Sequence, residues 1–261
     1  MIIDFHTHCF PDRLATKALE AISFGGGGII YNFDGTADGL VRRQKESGVE
    51  KSCVMNIATS PKSMHSVNDF AISLLQKEGI VPFGSVHPDA EDWSQELDRL
   101  HNAGIKGIKL HPEFQNYYAD EEKMRPVYRK ISELGFVVLF HCGADYSYRP
   151  PWKCTPESLL NALPYLDTNV VAAHLGGLEL WDESYERLAG LPIYMDISAV
   201  YAHAHKYQIE QIFEKHGTDR ILFGTDMPWQ TPEMPLSMLK SLSLTPDEME
   251  NILYRNAEKL L

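Results

Sequence analysis

Ile2-Ile3-Asp4-Phe5-His6-Thr7-His8 opens the chain as a short, β-branched, apolar run that turns polar at its end, the pattern of a buried strand. Residues i and i+2 of a strand share a face, so His6 and His8 project side by side from one support. Neutral imidazoles placed this way are a natural ligand pair for zinc, iron, nickel or copper. Seven more apolar runs follow: Ser52 to Ile57, Val81 to Val86, Gly107 to Leu110, Phe136 to Phe140, Val170 to Ala173, Ile193 to Ile197 and Ile221 to Phe223. Between them lie stretches with helical periodicity, such as Ala90 to Ala103, Glu121 to Leu134 and Lys206 to His216. Gly48, Gly79, Gly104 and Gly135 each precede the next run, where glycine accepts the left-handed backbone that stops a helix. Strand and helix alternating eight times predict an α/β fold, a distorted (β/α)8 TIM barrel, as one domain over residues 1–261.

An open doubly wound sheet fits less well, because no glycine-rich phosphate loop follows the first run. Gly25 to Gly28 reads as a flexible active-site loop, since no GKS/T or GxGxxG helix start accompanies it. Thr245-Pro246-Asp247-Glu248 has the capping-box pattern of a final helix, with Met249, Ile252, Leu253, Ala257 and Leu260 closing the barrel wall.

With 44% hydrophobic and 23% charged residues the chain carries enough apolar side chains for a sizeable core. Its net charge of -12 argues against a nucleic-acid partner, which demands a positive footprint. Cys9, Cys53, Cys142 and Cys154 form no CxxC pair and no dense framework, which suits a reducing cytosol. No signal-peptide pattern and no apolar stretch near the roughly 18 residues of a bilayer span are visible. The expectation is a cytoplasmic protein acting on a small molecule, with no membrane partner; homo-oligomerisation stays open.

Barrels of this type place their chemistry at the C-terminal strand ends. There the sequence puts His6 and His8, Lys109 and His111, His141, His174, and Asp226. Singly, each has an ordinary explanation: a histidine at a core boundary, or an aspartate capping the segment around Pro228. Gathered at one barrel mouth they would carry a desolvation cost with little structural return, and that favours a site.

His6-Thr7-His8, Gly107-Ile108-Lys109-Leu110-His111-Pro112, Phe140-His141, His174-Leu175-Gly176-Gly177 and Gly224-Thr225-Asp226-Met227-Pro228-Trp229 resemble the metal-dependent TIM-barrel hydrolases of the amidohydrolase superfamily. The branch most similar is the amidohydrolase-2 group, which includes aminocarboxymuconate-semialdehyde decarboxylase. The resemblance spans nearly the whole chain and is specific for the superfamily, not for a substrate. It implies His6, His8, His141 and Asp226 as ligands of one divalent metal, zinc by preference, with a water activated toward a pKa of about 7. It implies Asp226 and His174 as the catalytic groups, the first taking the water proton and the second serving as general acid/base. Branches with two ions use His174 as a further ligand and a strand-4 group as a bridge. Lys109 is therefore either a carbamylated bridge or an unmodified substrate contact, and His111 either contacts substrate or supports a ligand.

Arg149 and Trp152, in an aromatic-rich loop, are candidates to clamp an anionic or planar substrate, and Trp229 to line the pocket. His87 reads as a loop anchor, and Cys9 and Cys142 as packing residues. His203 and His205 repeat the HxH spacing toward a helix start, where i and i+2 do not share a face. The leading expectation is hydrolysis of a C–N or C–O bond. The alternative is non-oxidative decarboxylation or hydration of an unsaturated or aromatic acid. A phosphoesterase or deoxyribonuclease of the TatD type uses a strand-4 glutamate, whereas this strand carries Lys109 and His111 with Glu113 beyond its end, and a catalytically silent ligand-binding barrel keeps no need for His174.

Overall fold

In the computed structural model, which describes residues 1–261, eight strands form one parallel sheet in sequence order. They are β1 (Ile3–Thr7), β2 (Lys51–Met55), β3 (Ile80–Gly84), β4 (Gly107–Leu110), β5 (Val137–Phe140), β6 (Val170–Ala172), β7 (Tyr194–Asp196) and β8 (Ile221–Leu222). The sheet closes on itself, since Phe5 N donates to Phe223 O and Asp226 N to His6 O, each at 2.8 Å. Helices cover the outside of the ring, giving the (β/α)8 barrel that the alternation predicts. No helix is long and apolar enough to cross a membrane.

Two apolar layers hold the barrel. Ile3, Phe5, Phe83, Val137, Leu139 and Leu222 meet in an inner cluster contributed by strands around the ring. The opposite face of the same strands, such as Val138 and Phe140 on β5, joins the larger cluster beneath the helices. On β5 the alternation therefore carries straight to the mouth: Val137, Leu139 and then His141 share the inner face. On β1 it does not, because Phe5 is already an inner residue. The pairing with β2 slips between Asp4 and Thr7, and this bulge lets His6 follow Phe5 into the interior.

The predicted glycines sit where the chain needs positive φ: Gly48 (71°) and Gly104 (93°) cap their helices directly. The glycine run requires a correction. Rather than being loop throughout, it begins as the end of a 14-residue helix, Asp12–Gly25, with Gly26 as its cap. Ala15, Ala18, Leu19 and Ile22 give that helix an apolar stripe at helical spacing, of which Ala15 and Leu19 are buried. The final helix starts as read, Thr245 Oγ1 accepting from Glu248 N and Glu248 Oε2 from Thr245 N. Ile252, Ala257 and Leu260 are buried, and Asn256 Nδ2 ties this end to Ile221 O of β8 at 2.9 Å.

His216, at the end of the helix Lys206–His216, is 7% exposed and takes a hydrogen bond from Gly190 N on Nδ1 while Nε2 has no partner. Burial pushes its pKa down to about 4. A depressed histidine stays neutral in the fold while the unfolded chain protonates, so stability falls as pH drops from about 6.5 toward 4. The loss reaches about 3 kcal/mol at the lower end. In His216→Gln the thermal midpoint should depend less steeply on pH across that window. Parallel pH curves for the two proteins would refute this.

Candidate metal centre

His6, His8 and Asp226 converge at the C-terminal mouth. His8 Nε2 lies 3.1 Å and His6 Nε2 3.5 Å from Asp226 Oδ1. The other ring nitrogens are fixed elsewhere: His6 Nδ1 is 2.9 Å from Asp196 Oδ2, and His8 Nδ1 is 3.0 Å from Met55 O. A carbonyl only accepts, so His8 carries its proton on Nδ1, and the Asp196 carboxylate asks the same of His6. Both Nε2 lone pairs then face a carboxylate oxygen; the Lys109 ammonium, 3.3 Å from His6 Nε2, offsets that repulsion for His6, while for His8 a cation held between the groups would relieve it. Burial, reinforced by the Lys109 charge, pushes the His6 pKa down to about 4, which keeps that ring a neutral donor. Tetrahedral zinc with nitrogen ligands at 2.0–2.1 Å has ligand–ligand edges of about 3.3 Å, close to the separations seen. The donor set fits a divalent metal. Asp226 reaches its place through a left-handed backbone (φ 67°), a strained conformation for aspartate of the kind that clusters at functional sites.

The other two histidines form a second facing pair. His141 Nε2 lies 3.0 Å from Ala144 O, and His174 Nδ1 2.9 Å from Ser198 O. Again the carbonyls fix the protons, so the His141 Nδ1 and His174 Nε2 lone pairs meet at 3.1 Å. His141 does not fall within 4.8 Å of all three members of the first trio; its close partner is His174. His174 also sits at positive φ (60°), as does Leu175 (52°).

Asp196 and Ser198 of the seventh strand end tie the two groups together. Asp196 Oδ1 accepts from the backbone of His174 and Ser198, and Ser198 Oγ lies 3.0 Å from His6 Nδ1 and 2.9 Å from His174 Nδ1. Burial opposes ionisation of Asp196, yet His6, His174 and Ser198 together hold its carboxyl below the usual range. This support escaped the sequence reading. Its signal was present, an aspartate closing the apolar run Tyr194-Met195-Asp196 as histidines close other strands. Asp4 makes a similar clamp, accepting from His6 N, Thr225 N and Thr225 Oγ1 and so joining the backbones that carry two of the trio.

Lys109 is 1% exposed, with Nζ 3.3 Å from His6 Nε2, and burial lowers its pKa to about 8. His111 stacks between Phe114 and His141, with ring centroids 4.1 Å from each. Its Nε2 points toward Asp145 Oδ2 at 3.5 Å, and Nδ1 accepts from Phe114 N. Both residues line a cavity of about 570 Å³ over the metal donors, as does Trp229. Arg149 and Trp152 do not line it: Arg149 is exposed, and the same loop offers Asp145, Tyr146 and Ser147 instead. The chain reaches the cavity at the start of this loop and has turned away from it by Arg149. His87 accepts from Asp89 N, and Cys142 Sγ donates to Gly176 O. Cys9 packs with Ala37 and Leu40 but also touches the cavity. His203 and His205 part in the turn before the helix: His205 caps it, and His203 faces the cavity beside Tyr146.

A family model described as amidohydrolase matches residues 3–261. No curated protein matches the sequence. Among solved structures, an uncharacterized TIM-barrel protein from Bordetella bronchiseptica superposes with a TM-score of 0.74 at 18% identity, covering 99% of this chain and 97% of that one. A protein from Pseudomonas putida proposed to be a 2-pyrone-4,6-dicarboxylic acid hydrolase gives 0.70 at 17%, covering 99% and 96%. A 5-carboxyvanillate decarboxylase from Novosphingobium aromaticivorans with bound manganese gives 0.71 at 15%, covering 100% and 96%. At these identities the likeness establishes the shared barrel.

Proposed function

The chain belongs to the amidohydrolase family, and from that premise we propose that it is a metal-dependent hydrolase acting on a C–N or C–O bond of a small molecule. One observation carries the reading: four imidazoles have their outer nitrogens anchored to acceptors, leaving the His6 and His8 lone pairs turned toward Asp226 and those of His141 and His174 turned toward each other. His6, His8 and Asp226 would hold the ion, with the His141 and His174 pair supplying further donors or the place of a second ion. Imidazole-rich ligation favours zinc, although a relative of the same fold holds manganese. A divalent cation there supplies Lewis-acid polarisation of a substrate oxygen and lowers the pKa of a water toward about 7.

The chain's own groups do the rest. Asp226 Oδ1 is engaged by both histidines while Oδ2 makes no hydrogen bond within the protein, which leaves it free to take the proton of the attacking water. His174, its Nδ1–H fixed on Ser198 O, presents its Nε2 lone pair, which can take the water's proton on from Asp226 and pass it to the departing nitrogen or oxygen. Lys109 offers its ammonium to a substrate oxygen at the cavity floor. That same buried cation supports the second reading, non-oxidative decarboxylation, because it can also hold a carboxylate. All four cysteines are free and buried, and on that ground we place the protein in the cytoplasm.

The test is a panel of amides, esters, lactones and aromatic carboxylates, assayed with chelator-stripped protein before and after reloading with zinc or manganese. Metal-restored hydrolysis without carbon dioxide release is expected. Carbon dioxide release would move the assignment to the second reading, and turnover indifferent to metal removal would overturn both.

A further inference from the structure

The cavity walls are unlike each other, and the division follows the barrel. Phe10 and Ile29 after β1, Ile57 and Phe70 after β2, and Trp229 and Met234 after β8 line one side, an apolar surface interrupted by Arg13, Asn56, Thr59, Ser66 and Gln230. These strands are neighbours once the barrel closes through the hydrogen bonds of Phe5 and Asp226. All six side chains remain partly open to solvent, although Phe70 also packs against the cluster of Cys9, Ala37 and Leu40. The side above β5 and β7 is polar: Asp145, Tyr146, Ser147 and His203 face inward there, with Leu178 and two alanines between them. Tyr146 OH donates to Glu179 Oε1 at 2.5 Å and lies 2.8 Å from His203 Nδ1, which holds this rim in a hydrogen-bonded arrangement. The metal donors lie on the floor between the two walls.

We propose that the substrate is amphipathic, with an alkyl or aryl body of several carbons laid against the β8–β1–β2 wall and its reacting carbonyl over His6, His8 and Asp226. The polar end then lies under Tyr146 and His203. Asp145 in the cavity and Glu179 behind Tyr146 make that end neutral or cationic, because a second anionic group would meet their carboxylates. The inference rests on the hydrolase reading only for the identity of the reacting group. The placing of the apolar body rests on the walls alone. A cavity of about 570 Å³ is within the range of small-molecule sites and exceeds what a reacting carbonyl by itself would fill.

The test measures binding, so that it does not depend on turnover. Straight-chain amides from acetamide to octanamide are titrated into the zinc-loaded protein by calorimetry. Kd should fall about three- to fourfold per added methylene, the gain from burying each one. Met234→Glu and Ile29→Glu, each checked for an unchanged thermal midpoint, should reduce that step to less than about twofold. His203→Ala on the opposite wall should leave the step as it is. A Kd independent of chain length, or a step lost equally in His203→Ala, overturns the proposal. Normal length dependence without hydrolysis of any amide or ester would remove the hydrolase reading and leave the apolar wall standing.

Discussion

His8→Ala is expected to lose its metal and its turnover together. The ring is held by Met55 O at one nitrogen and presents the other to Asp226 Oδ1 at 3.1 Å. Removing an outer partner of a metal ligand typically costs 10- to 100-fold in affinity or activity. Removing the ligand itself should exceed this, with kcat/KM falling by at least about a thousandfold. The fold should survive, since His8 lies at the barrel mouth with 12% of its side chain exposed and outside the apolar clusters. Circular dichroism and the thermal midpoint of the metal-free proteins check this, and metal content is read by elemental analysis. A variant that keeps both metal and rate would exclude His8 from the ligand set.

His174→Ala separates a proton-transfer role from a ligand role. If His174 moves protons, kcat falls about 10²- to 10⁴-fold while the metal of the trio stays bound. The geometry sets up the contrast: His174 lies against His141 at 3.1 Å, outside the trio of His6, His8 and Asp226. Loss of one of two metals in the variant would instead make His174 a ligand of a second ion. Unchanged turnover would sink the assigned role. Ser198 contacts both His6 and His174, so its replacement should disturb the two functions together and does not substitute for this experiment.

The barrel was legible because every strand but β2 is an apolar run ending at a glycine, histidine or aspartate, and parallel strands buried on both faces write that pattern plainly. The observed strands fall within one or two residues of the runs, and β4 matches at both ends. His6 and His8 were legible through spacing alone, although the bulge that brings His6 inward after Phe5 was not. The end of an apolar run likewise placed His141 at the mouth, but its pairing with His174 depends on a turn at positive φ that no residue type announces. Asp196 and Ser198 were passed over because β7 reads as apolar packing until its contacts across the barrel are seen. Arg149 and Trp152 misled because residue chemistry marks a loop without saying which of its side chains turns inward. The helix Asp12–Gly25 carries its apolar residues Ala15, Ala18, Leu19 and Ile22 at helical spacing and was passed over, yet it carries part of the cavity wall.

Anomalous diffraction from crystals grown with zinc tests the central claim most directly. The account predicts a peak within about 2.0–2.2 Å of His6 Nε2, His8 Nε2 and Asp226 Oδ1. A map without a peak among these three atoms, from protein shown to bind zinc elsewhere or not at all, would contradict it.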